Sequence, residues 1–287
     1  MVMSFTEELA LDRWRGATSA RRRELAEAVS AAHPTLKVIR VDEIARFHHE
    51  PTGLPFHLVP GGALRMGVDA DEVGRLRAQY QYWDGADEAE HTLSVLSSRT
   101  CWPVTEVSIR PFLLAAHPVG RTPVRSYEEL AAMGAAEWIA HLERFEAEGM
   151  SLEQALDEER RLGEVGLRLP SEAEWEWAAR GAGSQSFPGG DAIPSSPNTG
   201  VNLLGFVDLG ALPEVCADAW APTLEGTPRD GAPRAGEPSA GRAARGGGAT
   251  CYPWQDCGEW TLLLSGARFP AREMDGMLAL RPAMGLS

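Results

Sequence analysis

Lysine is almost missing from this chain. Lys37 is the single side-chain amine among 27 basic residues, and arginine supplies the rest. Schiff-base chemistry is therefore excluded from nearly every position. The 41 acidic residues leave a net charge of −14, which argues against a surface for nucleic acid or for an anionic membrane. Cysteine is also scarce. Cys101, Cys216, Cys251 and Cys257 are too few for a disulfide framework in 287 residues. No apolar run reaches transmembrane length. The opening MVMSFTEELALDRWRG has neither the basic start nor the apolar stretch of a secretory leader. A cytoplasmic, reducing location is the expectation. A Walker loop, a GxGxxG after a strand and a GxSxG elbow are all lacking, which removes the chemistries those motifs carry.

What is present is a loop-rich body with an ample core: 44% hydrophobic residues, 30 glycines, 20 prolines and nine tryptophans. Helix signals mark both ends of an N-terminal arm. Ser4 and Glu7 can cap a first helix, and Arg21–Ala32 places Leu25, Ala26 and Val29 on one face before Pro34. His48, His49 and Glu50 are adjacent, so they point in different directions, and they are expected in a solvated loop rather than around a metal. FHLVPGGALRMG, from Phe56 to Gly67, predicts strand, turn and strand. Val73, Leu76 and Tyr80 at helical spacing predict an inserted helix within Asp69–Ser98, and PVTEVSIRPF from Pro103 to Phe112 alternates as a half-buried strand. Ser126–Ala147 predicts a helix with Leu130, Trp138, Leu142 and Phe145 on its apolar stripe, and Ser151 with Gln154 opens another. Ala221–Thr250 holds four prolines and seven glycines without an apolar period, the composition of a surface loop or of disorder.

Local signals agree best in LRLPSEAEWEWAARGAG, Leu167–Gly183. Ser171 and Glu174 form a capping box, and Arg180 followed by Gly181 closes a short helix. This segment resembles the hallmark of the formylglycine-generating enzyme, or sulfatase-modifying factor, family. The Phe56–Gly67 segment, NLLGFVDLGALPEVCADAW from Asn202 to Trp220, and LALRPAM from Leu278 to Met284 resemble further family segments in the expected order. The resemblance implies an α+β, loop-rich fold similar to C-type lectins. It divides the chain into a helical extension at 1–51 and the family-like domain at 52–287, with the inserted helix near 69–98.

The resemblance also assigns chemistry. RGGGATCYPWQDCGEW, Arg245–Trp260, stands where the family has two cysteines that bind copper(I) and use oxygen to oxidise a cysteine of a substrate protein. Cys251 keeps the expected offset from the glycines. Cys257 follows after five intervening residues instead of four, and in an extended segment a one-residue slip turns a side chain to the other face. Gly248 and Ala249 replace Ser-Trp, and Gly258–Thr261 replaces an arginine-rich run. Asp208, Gly210, Leu212 and Glu214 match positions that hold a structural calcium in the family, although Ala211, Pro213 and Val215 depart from its pattern. Two functions compete. One is a copper-dependent oxidoreductase acting on a thiol of a protein or peptide through Cys251 and Cys257. The other is a non-catalytic binding or scaffold module that engages a protein partner through Asp69–Ser98 or Ala221–Thr250.

Overall fold

The computed structural model describes residues 5–83, 86–119, 149–195, 200–236, 241–248 and 259–286. Three short helices open it: α1 (Phe5–Glu8), α2 (Leu11–Gly16) and α3 (Ser19–Ala32). Thr18 caps α3 by accepting from Arg21 N, and Leu25, Ala26 and Val29 are its buried face. The arm is not helical throughout. Leu36–Val41 (β1) and Ala45–His49 (β2) form an antiparallel pair that extends the main sheet. Val38, Ile39 and Val41 favour a pleated backbone over a helix because branching at Cβ restricts their rotamers. His48 and His49 lie in β2, not in a loop. His49 is buried, with its Nδ1 2.9 Å from Thr52 Oγ1 and its ring edge-on to Phe56.

β3 (Leu54–Val59) and β4 (Gly62–Met66) flank the Pro-Gly-Gly turn but do not pair with each other. β3 joins β2 and β6 (Phe112–Ala115), giving a five-stranded antiparallel sheet in the order β1-β2-β3-β6-β10, whose last strand is Ala283–Gly285. β4 pairs with β5 (Thr105–Ile109), whose Thr105, Val107 and Ile109 face inward while Glu106 and Ser108 face out. The Pro103–Phe112 run is therefore split at Arg110–Pro111 between two sheets. The insertion holds two helices, α4 (Ala70–Tyr80) and α5 (Ala86–Val95), with Asp69 capping α4 and Val73, Leu76 and Tyr80 buried. The helix expected at Ser126–Ala147 lies outside the described residues.

After α6 (Leu152–Glu164), opened by the Ser151/Gln154 capping box, comes α7 (Glu172–Ala179), opened by the Ser171/Glu174 box. All eight residues of α7 are buried, where the sequence pointed to one apolar face. The helix packs against β4, β5, β7 (Glu214–Ala219) and β8 (Arg242–Arg245), so it has no side left for water. β9 (Phe269–Pro270) completes the β7-β8-β9 sheet. The proline- and glycine-rich stretch is docked where it is described. Ser108 N donates to Arg229 O, Ser171 Oγ to Gly231 O and Arg234 N to Asp218 Oδ1, at 2.8 Å each.

Arginine, the residue that replaces lysine here, is built into the core. Glu172, Glu174 and Glu176 project from α7 and each meets a guanidinium. Arg268 grips Glu172 through two bonds of 2.7 Å, and Arg168 grips Glu174 in the same way. Glu176 accepts from Arg180 Nε at 2.9 Å with one oxygen and from Arg245 Nη1 at 3.0 Å with the other. The planar, two-pronged donor geometry of arginine suits such pairs better than a point-like ammonium does.

Candidate functional site

β8 ends at Arg245, whose fully buried side chain is held by Glu176 and by the carbonyl of Ser265. Gly246 and Gly247 follow at φ +81° and +111°, in the left-handed region that favours glycine. A Cβ on Gly246 would lie 2.6 Å from the carbonyl oxygens of both Gly210 and Leu212, so only glycine allows this approach. Gly247 N donates to Gly210 O at 2.8 Å. Cys251 and Cys257, the expected copper ligands, lie outside the described residues. On their far side, Glu259–Leu263 forms a 3₁₀ turn, and Trp260 is fully buried against Tyr80 of α4 and Phe187.

Cys101 and Cys216 are fully buried free thiols. Burial pushes Cys101 up to about 11, against the pull of Arg245 and Arg268, and its Sγ donates to Gly266 O at 3.0 Å. Burial likewise raises Cys216 well above the ordinary thiol range, with Glu172 adding to the effect. Neither is a thiolate ready for a metal or an electrophile. Among the described residues no group of three or more His, Cys, Asp or Glu side chains could hold a metal ion.

The four calcium-assigned positions occupy different surroundings. Asp208 sits at φ +49° with Oδ1 buried and lacking a hydrogen bond, and burial raises its carboxyl. Gly210 gives its carbonyl to the glycine turn, and Leu212 is buried among Ala211 and Ala279. Glu214 is fully buried and faces Arg281, whose Nε and Nη2 donate to its two oxygens at 2.9 and 2.7 Å. Trp175 Nε1 also donates to Glu214, at 2.8 Å.

A concavity of about 750 Å³ opens elsewhere, between α2, β4, α4 and the turn after α7. Its wall mixes signs: Arg15, Arg65, Arg75 and Arg180 stand with Asp69, Asp71, Glu72 and Asp191, around the apolar surface of Leu11 and Trp177. Arg180 is buried in its floor, paired with Glu72 at 3.3 Å and Glu176 at 2.9 Å. Glu176 therefore touches both the cleft floor and the Arg245 that precedes the glycine turn. The Glu176–Arg180 pair has helical spacing, but the Glu72–Arg180 and Glu176–Arg245 contacts were not visible in the sequence, because the partners lie 108 and 69 positions apart. The near-exclusive use of arginine was the one available signal.

A capping-box helix with ionic sides, set among short sheets and long irregular connections, defines a protein of the loop-rich α+β class built on the formylglycine-generating-enzyme fold. The chain belongs to the sulfatase-modifying factor enzyme 1-like domain family, whose profile matches residues 48–207. In three dimensions it is similar to PvdO from Pseudomonas aeruginosa, with a TM-score of 0.53 and 19% identity over 84% of this chain and 98% of that one. No curated protein matches its sequence. No helix among the described residues is long and apolar enough to cross a membrane.

Proposed function

We propose that this chain oxidises a cysteine of a protein or peptide, with Cys251 and Cys257 holding copper(I). The observation behind this is the glycine turn at Gly246–Gly247. It is pinned to the Gly210 carbonyl and fits only glycine, so the chain enters the cysteine segment from a fixed point, and buried Trp260 fixes its exit. Two thiolates are soft donors and suit copper(I), whereas the buried, protonated Cys101 and Cys216 do not. Bound copper would supply oxygen-dependent oxidation of the substrate thiol. Arg245 and Glu176 contribute rigidity, since a buried ion pair with further hydrogen bonds holds the turn against rotation.

A second function, binding without catalysis, is favoured by the mixed-charge cleft. Exposed Arg15 and Arg75 beside Asp71 and Asp191 suit a polypeptide segment carrying both signs, and α4, which supplies one wall, belongs to the insertion. Anaerobic copper(I) titration of the reduced protein against a competing chelator separates the two. One copper per chain is expected, lost in Cys251→Ser and Cys257→Ser because a hydroxyl is a poor ligand for a soft ion, and retained in Cys101→Ser. Oxygen uptake with cysteine-containing peptides should follow the same pattern. Wild-type copper affinity in Cys251→Ser would overturn the oxidase and leave the binding module.

A further inference from the structure

We infer that the positive charge at Glu214 is supplied by the chain itself: the Arg281 guanidinium takes the place that the family resemblance gives to calcium. All five N–H bonds of this side chain are used. Beyond the two to Glu214, Nη1 donates to the carbonyls of Ala116 at 2.9 Å and Ala115 at 3.2 Å, and Nη2 donates to Val207 O at 3.2 Å. One carboxylate and three carbonyl oxygens thus surround a single cation, the kind of donor set that a hard metal ion would attract. Both residues are fully buried, and with the Trp175 bond the carboxylate is saturated from two sides.

A calcium ion needs six to eight oxygens at about 2.3–2.6 Å. To recruit Glu214 it would have to strip off the guanidinium, leaving an uncompensated buried arginine. Breaking one partner out of such a pair is far more costly than the pair is worth. Of the remaining expected ligands, the Gly210 carbonyl already binds Gly247 N, and Leu212 O is closely covered by Gly246. Asp208 alone offers a buried oxygen without a partner, one donor where the ion requires several. The ionic staple also has a task that fits its position. Arg281 ties β6, the Val207 loop, β7 and, through Glu214 and Trp175, helix α7.

The test uses the unaltered chain first. Thermal melting in millimolar calcium and in excess EGTA is expected to coincide within about 1 °C, and calorimetric titration with calcium chloride should give no saturable heat; a lower midpoint in EGTA, or a saturable calcium isotherm lost in Glu214→Gln, overturns the inference. A double-mutant cycle then reads the pair directly. Glu214→Gln and Arg281→Met are each expected to lower the midpoint by roughly 10 °C in either medium, and the double variant should lose clearly less than the sum. Strictly additive losses would overturn it. Should the single variants fail to fold, the calcium and EGTA measurements on the unaltered chain still decide.

Discussion

Asp218 shows how this core handles charge one residue at a time. Its oxygens accept from the backbone N–H groups of Glu172 at 2.7 Å and Arg234 at 2.8 Å, so it pins the docked loop to the first turn of α7. Burial and the neighbouring Glu172 carboxylate nevertheless push it up to about 7. Glu172 itself is held below its ordinary value: burial opposes its ionisation, but the Arg268 grip prevails. The two carboxylates thus divide the available positive charge unequally. Because the folded value of Asp218 lies above the unfolded one, the stability it contributes is complete below about pH 4 and is lost as pH rises through 7. A carboxyl-carbon NMR titration should find one aspartate titrating near 7, absent from Asp218→Asn. If every aspartate titrates below pH 5, the loop is pinned by a fully ionised carboxylate instead.

At the scale of elements, the glycine turn is the most exacting. Gly246→Ala must place a methyl 2.6 Å from two carbonyl oxygens and hold alanine at φ +81°. The expected cost is about 2–4 kcal/mol from crowding and left-handed strain together. It should appear as a lower urea midpoint, and, if the proposed copper site exists, as weaker copper(I) binding in the same variant. Full stability in Gly246→Ala would show that the approach can relax.

The elements legible in the sequence were those whose signals are local. The Ser171/Glu174 and Ser151/Gln154 boxes form as their spacing requires, and Thr105–Ile109 alternates as written. β1 and β2 were hidden because Lys37, Arg40 and Arg46 dilute a short branched pattern. The burial of α7 on all sides was hidden too. Glu172 and Glu176 share a side that looks solvent-facing until Arg268 and Arg245 arrive from elsewhere in the chain, while Glu174, on the other side, is met by Arg168 from just ahead of the helix. Of the candidate site, the glycine pair could be read, since close approach calls for glycine. The Arg281 staple could not, because Ala115, Val207 and Glu214 meet it only after folding.

For the whole molecule, the question is whether residues 1–51 are an appendage. Trp14, Leu25, Val29, Leu36 and Phe47 are buried in one cluster with Phe56, Leu113, Leu278 and Leu280 of the family-like region. Trp14 is also tied by its indole N–H to Glu43 O at 2.8 Å. The arm closes one side of the main core, although the family match begins only at residue 48. A chain starting at Thr52 should therefore lose cooperative melting and near-ultraviolet dichroism, because truncation strips the cluster of several large side chains. A sharp melt in that fragment would mean the family-like region folds alone.

The division of labour between the two basic residue types has a practical side. Among the described residues the buried, paired cations are guanidinium groups, while Lys37 stands on the outermost strand of the main sheet with its side chain 58% exposed. Acylating reagents that attack amines at neutral pH leave guanidinium groups alone. A dye, tether or surface coupled in this way finds one side-chain address, on β1, and leaves the ionic framework of the core chemically untouched.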